Sequence, residues 1–384
     1  MRVGGERVAE PNAIGRTLGL LGDEWSLQIV RYAVAGVRRF GGWKQHLGIS
    51  DAVLAARLGA LVDAGVLVRV PAVGGTHPEY ELTKAGLGLW PVLLSIWSWE
   101  LHHVPGQADL LPRMLHATCA AEFEPVLRCR GCAGAAPREE VELALGPSGH
   151  FERSVPVGSN RRRTTGGRRT TAGAGMFTET MTLIGSRWSS AILGAAVLGA
   201  TRFSDFERMT GASPTVVAER LRAFVDLGVL ERAGGEAVGE SGARPASYLL
   251  SAKGRAFFPV VATALAWGER QFPSPDGPAV LAVHRPCGKE FVPQLGCSVC
   301  AAALASRAVV VSPPDVPPTS DDGASSSQDP GNGHREEHCD GEDHRVVIDA
   351  VDHIHGGLAD GVSEADDRSD PQQRADHVED EEGP

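Results

Sequence analysis

The chain repeats itself. The stretch GISDAVLAARLGALVDAGVL, from Gly48 to Leu67, returns as GASPTVVAERLRAFVDLGVL from Gly211 to Leu230. Trp25 matches Trp188, Arg39-Phe40 matches Arg202-Phe203, Ser50 matches Ser213 and Arg57 matches Arg220, all 163 residues apart. After a hairpin that is longer in the second copy the offset is 168, so Tyr80 matches Tyr248, Gly86 matches Gly254 and Trp99 matches Trp267. A duplication of this length constrains the fold more than any single motif does, because whatever one copy builds the other must build again.

In each copy a Ser occupies the N-cap position and apolar residues follow at helical spacing. Leu54, Leu58, Leu61 and Val62 form one stripe, and Val217, Leu221, Phe224 and Val225 form the other. Gly and a Val-Leu pair then end the helix and open a strand. If that stripe packs, the opposite face is free. It carries Ala52, Ala55, Ala56 and Gly59 in the first copy, but Thr215, Ala218, Glu219 and Arg222 in the second. The two helices would not read the same thing.

Residues 12–22 read as a short amphipathic helix, WSLQIVRYAVAG as a second, and GGWKQHLG as the first helix of a helix-turn-helix. LVRVP and EYELT are strand-like runs joined by a Gly- and Pro-containing turn, which makes a wing. GLGLWPVLLSIWSWELHH is a long apolar helix with three Trp. Trp25 and Trp188 lie in apolar helical patterns and read as core. The expected fold class is mainly α with small β wings: two tandem winged helix-turn-helix domains, each with a zinc-ribbon-like appendage, and a disordered acidic tail. The expected boundaries are 11–105 and 176–272 for the winged repeats, and 112–135 and 280–304 for the appendages. A flexible Arg-rich linker covers 136–175, and the tail covers 305–384. The second wing tip, AGGEAVGESGARPAS, reads as mobile and carries Arg244. The linker is either merely solvated or lies along a phosphate backbone.

The formal charge of −11 is uneven. From Ser306 onward there are 21 acids against 5 Arg, a net of −16, so the preceding residues carry +5. A basic body removes the objection that an acidic protein should avoid nucleic acid. The N-terminus lacks a secretory apolar core, and no segment approaches a membrane span, so a cytosolic location is expected. No Gly-rich phosphate loop, GxSxG elbow or HExxH pair is present, which argues against an enzyme.

Six of the seven Cys fall into two clusters that follow one spacing, His-x2-Cys-x9-Cys-x2-Cys. The first is His116, Cys119, Cys129 and Cys132; the second is His284, Cys287, Cys297 and Cys300. In a reducing compartment such clusters favour metal over disulfides. Three thiolates and one imidazole suit a closed tetrahedral zinc site, structural rather than catalytic. About two structural zinc ions are therefore expected. A redox-active thiol pair and simple buried Cys are the other readings.

The stretches LGLLGDEWSLQIVRYAVAGVRRF and YELTKAG, with LIGSRWSSAILGAAVLGATRF and YLLSAKG in the second copy, resemble the HxlR-type winged helix-turn-helix regulators, relatives of the MarR group. Members of that family usually pair two copies through terminal helices on a two-fold DNA site. The resemblance implies a single chain acting as its own dimer, with the Trp-rich helices at the internal interface, and leaves open further homodimerisation and a small-molecule effector. Some relatives sense oxidants through a Cys before the Pro that opens the first helix; Glu10 stands there, so that mechanism is not inherited. The Lys often found two residues after the recognition Ser is replaced by Ala52 and Thr215.

The expected partner is double-stranded DNA, contacted by Arg39, Lys44, Ser50, Ala52 and Arg57 in the first repeat. Arg202, Ser213, Thr215, Arg220, Arg222 and Arg244 are the candidates in the second. Arg222 and Thr215 best suit base edges, whereas Ser50 and Ser213 suit phosphate at a helix N-terminus or a plain N-cap. Arg57 and Arg220 flank the buried stripe, where pairing within the domain competes with DNA contact. The function expected is a transcriptional regulator, a repressor, on an asymmetric operator. An interaction scaffold with degenerate DNA binding and a zinc- or thiol-responsive regulator are the alternatives.

Overall fold

The computed structural model describes residues 10–72, 77–154, 177–234 and 246–312. Arg244, the Arg-rich stretch 155–175 and the acidic tail beyond Ser312 lie outside the described residues. The first repeat runs α1 (Ala13–Leu21), α2 (Glu24–Val34), α3 (Phe40–Leu47), α4 (Asp51–Asp63), β1 (Leu67–Val70), β2 (Glu79–Leu82), α5 (Lys84–Leu87) and α6 (Trp90–His103). Strands β3 (Arg113–His116), β4 (Ala121–Glu122), β5 (Pro125–Cys129) and β6 (Val141–Leu145) follow it. The second repeat runs α7 (Thr178–Ile184), α8 (Arg187–Val197), α9 (Phe203–Thr210), α10 (Pro214–Asp226), β7 (Leu230–Ala233), β8 (Ser247–Leu250), α11 (Ala252–Ala256) and α12 (Phe258–Gln271). It is followed by β9 (Val280–His284), β10 (Lys289–Glu290), β11 (Pro293–Cys297) and β12 (Val309–Ser312).

The helices begin where the side chains dictate. Asn12, Asp23, Thr83, Ser186 and Ser251 each accept a hydrogen bond from the backbone N–H three residues on. Ser50 and Ser213 sit at the N-cap positions of α4 and α10 with extended backbone, yet neither side chain makes the capping bond. Both hydroxyls stay exposed. The stripes pack as the spacing requires: Leu54, Leu58 and Leu61, and Val217, Leu221 and Phe224, are buried, while Val62 and Val225 lie half-buried at the margin. Trp25 and Trp188 are half-buried against the core. Trp43 is fully buried and donates from Nε1 to the Ile29 carbonyl at 3.1 Å.

The long helices α6 and α12 pack on each other across the repeats. Trp99 Nε1 donates to the Lys253 carbonyl at 3.1 Å, and Trp267 Nε1 donates to the Ala85 carbonyl at 2.8 Å. Ala85 and Lys253 are equivalent positions, so the same bond is made in both directions, as pseudo-twofold pairing requires. The two flanks of this interface differ. A Cβ on Gly268 would lie 2.1 Å from Thr17 Oγ1, so only Gly lets α12 approach α1 this closely. At the equivalent place, buried Glu100 accepts from Thr180 N and Oγ1 at 3.0 and 2.7 Å, and burial raises its pKa.

Two of the boundaries expected from composition differ in the structure. Residues 136–154 of the expected linker contain β6 and buried Ala136, Val141 and Ser148. Asn12 Nδ2 donates to the Ser148 carbonyl and Ser154 Oγ, both at 2.8 Å, tying this segment to the start of α1. Residues 309–312 of the expected tail form β12, which pairs with β3. The two ribbons are not local appendages either. Strand β6 pairs with β9, β5 pairs with β11, and β3 pairs with β12, so every long strand that follows one repeat is zipped to one that follows the other. Long-range partners supply the hydrogen bonds that a Gly- and Ala-rich local sequence cannot advertise.

Candidate nucleic-acid interface and metal centres

The strand exchange regroups the metal ligands. His116 and Cys119 meet Cys297 and Cys300; His284 and Cys287 meet Cys129 and Cys132. Each four-residue cluster read along the sequence is therefore split, and each site takes its His-x2-Cys pair from one repeat and its Cys-x2-Cys pair from the other. Within each group all ligand atoms lie within 4.8 Å of one another. His116 Nδ1 is 3.4 Å from Cys119 Sγ and 3.3 Å from Cys300 Sγ, and Cys119 Sγ is 3.9 Å from Cys297 Sγ. His284 Nδ1 is 3.4 Å from Cys287 Sγ and 3.3 Å from Cys132 Sγ. Zinc–sulfur bonds of about 2.3 Å and zinc–nitrogen bonds of about 2.0–2.1 Å set tetrahedral edges of roughly 3.5–3.8 Å, close to these separations.

The backbone supports the same reading. The residue after the second ligand of each pair adopts the left-handed conformation: Ala120 at φ 54°, Ala133 at 59°, Ala301 at 60° and Gly288 at 66°. Its N–H donates to the carbonyl of the first ligand, at 2.8 Å in three turns and 3.0 Å in the fourth. Three alanines held where glycine belongs, with one glycine, give four turns of one shape, each bringing its two candidate ligands together. His284 Nε2 lies 3.1 Å from the Ala135 carbonyl, which fixes the tautomer and leaves Nδ1 for metal. The Lys289 backbone N–H and His284 hold the Cys287 thiol down to about 7, favouring the thiolate that a metal needs.

The two recognition helices, α4 and α10, offer different chemistry. In the first repeat the candidate cations are already paired. Arg39 meets Glu79 at 2.8 Å, Lys44 meets Asp51 at 2.8 Å, and Arg57 Nε meets Asp23 at 2.7 Å, half-buried. Arg38, which motif reading passed over, meets Glu79 and Glu81. Ala52, Ala55 and Ala56 are exposed and offer only methyl groups.

In the second repeat the acids are gone. The 163- and 168-residue offsets put Ser186 in the place of Asp23, Pro214 in that of Asp51 and Ser247 in that of Glu79. Arg202 is exposed at the start of α9, where its backbone N–H donates to Asp205. Arg222 and Thr215 are exposed on α10 beside Ser213. Arg220 Nε is buried with no hydrogen-bond partner among the described residues. Among the described residues neither Arg202, Arg220 nor Arg222 makes an ion pair. Glu207 replaces Lys44. Arg232 on β7 is a further exposed cation, across from Tyr248 as Arg69 is from Tyr80. Strand alternation within LERA was the available signal for it. No helix among the described residues is long and apolar enough to cross a membrane.

The model of the HxlR-like helix-turn-helix family matches residues 20–107 and again 183–276. Uncharacterized HTH-type transcriptional regulators of Mycobacterium bovis and Mycobacterium tuberculosis are 34% identical over 139 residues, which is 36% of this chain and 88% of each relative. Among solved structures, PA1607, described as a candidate transcription factor, is 36% identical with a TM-score of 0.28, over 30% of this chain and 81% of that one. About a third of this chain thus spans nearly all of each mycobacterial relative, and the family pattern occurs twice. The chain belongs to the HxlR-like helix-turn-helix family, whose members are DNA-binding transcriptional regulators and not enzymes.

Proposed function

We propose that the chain acts as its own pseudo-dimer on an asymmetric duplex site, as a cytoplasmic repressor that works by occupancy, with the second repeat carrying most of the sequence specificity. The observation behind this reading is the difference in charge pairing. The side chains of Arg202, Arg220 and Arg222 make no ion pair among the described residues, whereas those of Arg39, Lys44 and Arg57 are each held by an acid. An Arg on the free face of a recognition helix can hold guanine bidentately, and Thr215 can meet a thymine methyl. The first repeat, with exposed Ala52, contributes position more than reading. Ser50 and Ser213 suit phosphate, because their hydroxyls are not spent on capping.

Two zinc ions, one held by His116, Cys119, Cys297 and Cys300 and the other by Cys129, Cys132, His284 and Cys287, lock the two winged repeats into one unit. Metal supplies structural cross-linking here, since all four positions of each site are taken by protein ligands. The interface of α6 with α12 uses inside one chain the surface that would otherwise pair two, so the chain works as a monomer. Selection of bound duplexes from a random pool, with the zinc-loaded full chain at moderate salt, tests the proposal. The expected result is a site of two unequal halves about one helical turn apart. Enrichment of a perfect palindrome would refute the asymmetry; no enrichment would favour an interaction scaffold.

A further inference from the structure

An apolar cavity of about 110 Å³ lies where the repeats meet the strand-exchanged ribbons. Its walls come from α1 (Leu18), α6 (Val92), α8 (Gly194), α12 (Leu265), β6 (Leu143) and β9 (Val280), with Phe151 closing one side. The few hydroxyls on the wall are engaged elsewhere. Thr17 Oγ1 donates to the Ala13 carbonyl at 2.7 Å, Ser190 Oγ to the Ile184 carbonyl at 2.9 Å, and Ser154 Oγ to the His150 carbonyl at 2.9 Å. The three hydroxyls therefore have their protons committed, and a cavity with walls this apolar favours small apolar molecules.

The duplication supplies a control within the molecule. At the equivalent place in the first repeat Arg31 stands where Gly194 does, Ile96 where Ala264 does, and Trp97 where Leu265 does. Ile96 and Trp97 are buried, and Trp97 Nε1 donates to the Pro112 carbonyl at 2.9 Å. Three larger side chains thus stand on one side where three smaller ones leave space on the other. The hollow side is also the side of the unpaired recognition helix. Helix α8 packs directly on α10, and the Arg138 guanidinium of the ribbon holds the Val197 carbonyl at the end of α8.

We infer that this cavity is a binding site for a small, neutral, apolar molecule of about one ring, and that its occupancy is transmitted through α8 to α10. The second half of that statement rests on the DNA-binding reading above; the first does not. Thermal unfolding of the zinc-loaded full chain against increasing benzene, with glycerol as the polar control, tests the site. Benzene is expected to raise Tm saturably and glycerol to leave it without a saturable rise. Gly194→Leu should abolish the benzene shift: a Cβ there meets only Phe151 Cε1, at 3.9 Å, so the side chain grows into the void. Leu265→Trp, which installs the first repeat's own residue, serves as the second variant should the first not fold. Absence of a saturable shift in the natural chain, or its persistence in the folded filled variants, would overturn the site. With benzene bound, duplex affinity should change about fivefold or more in the natural chain and stay constant in the filled variant. Saturable benzene binding with unchanged duplex affinity would overturn the transmission and leave the site standing.

Discussion

The two repeats share a fold and differ in what holds their charges. In the first, Asp23, Asp51 and Glu79 neutralise Arg57, Lys44 and Arg39. In the second, Ser186, Pro214 and Ser247 occupy those places, and Arg220 keeps a buried Nε without a partner among the described residues. An Arg bound to a carboxylate must give up that bond before it can hold phosphate or a base, so the same residue type has different value in the two halves. Duplication preserved the scaffold and, among the described residues, left the unpaired arginines on one side.

The largest effect is expected at the two proposed metal sites, each of which draws its ligands from both halves. Cys119→Ser with Cys297→Ser removes two ligands of one site and is expected to leave about one zinc per chain. Cys119→Ser with Cys129→Ser strikes both sites, and metal analysis should find none. Tm should fall by roughly 10 °C or more when both are lost. The opposite pattern of zinc counts would mean that each ribbon closes on itself.

Next in size, Arg222→Ala should cost about 1–3 kcal/mol on the preferred duplex and relax one base position, whereas the equivalent Gly59→Ala should leave sequence preference intact. Titration of selected and scrambled duplexes measures both. Arg57→Ala should instead lower folding stability by about 1 kcal/mol, since it breaks a half-buried ion pair, and do little to affinity. Arg220→Ala should show the reverse. Denaturant unfolding alongside duplex binding separates the two readouts.

Glu100 provides a pH signature. Burial raises its pKa, so the native state holds a proton that the unfolded state has released, and stability falls as pH rises from the ordinary carboxylate range through the folded value. Glu100→Gln keeps an acceptor for Thr180 and should flatten that dependence, with Tm at pH 8 equal to or above that of the natural chain. A steeper fall would place the charge elsewhere. The smallest effect is expected for Asp51→Ala, which releases Lys44. It should tighten duplex binding by under about 1 kcal/mol and steepen the salt dependence by about one phosphate contact.

Much of this was legible along the chain. The stripe from Leu54 to Leu61, and its echo from Val217 to Phe224, announced two recognition helices, because a buried face must recur every three to four residues. The free face was legible too, since Arg222 and Ala52 fall where the stripe does not. Pairing was not. Arg57 and Asp23 are 34 residues apart, and no periodicity connects them. The cavity was invisible for the same reason: Gly194 and Leu265 are unremarkable in their own helices and matter only when α8 and α12 face each other.

The sequence by itself determined the duplication, the winged helix-turn-helix of each half, the eight candidate ligands and the contrast between the two recognition helices, all of which depend on residue type and local spacing. Only the tertiary structure decided which ligands share a site. Both repeats present His-x2-Cys and Cys-x2-Cys pairs of the same kind, so the local signal is degenerate. Between the pairs, EFEPVLR and EFVPQL offer no Gly, Asn or Asp for a tight reversal, and their Pro holds the preceding residue extended. Each strand therefore runs on to a partner from the other half, where β5 and β11 pair with Leu127 opposite Leu295 and each buried. Ligand type is a property of the residue; ligand grouping is a property of where the extended chain finds its partner.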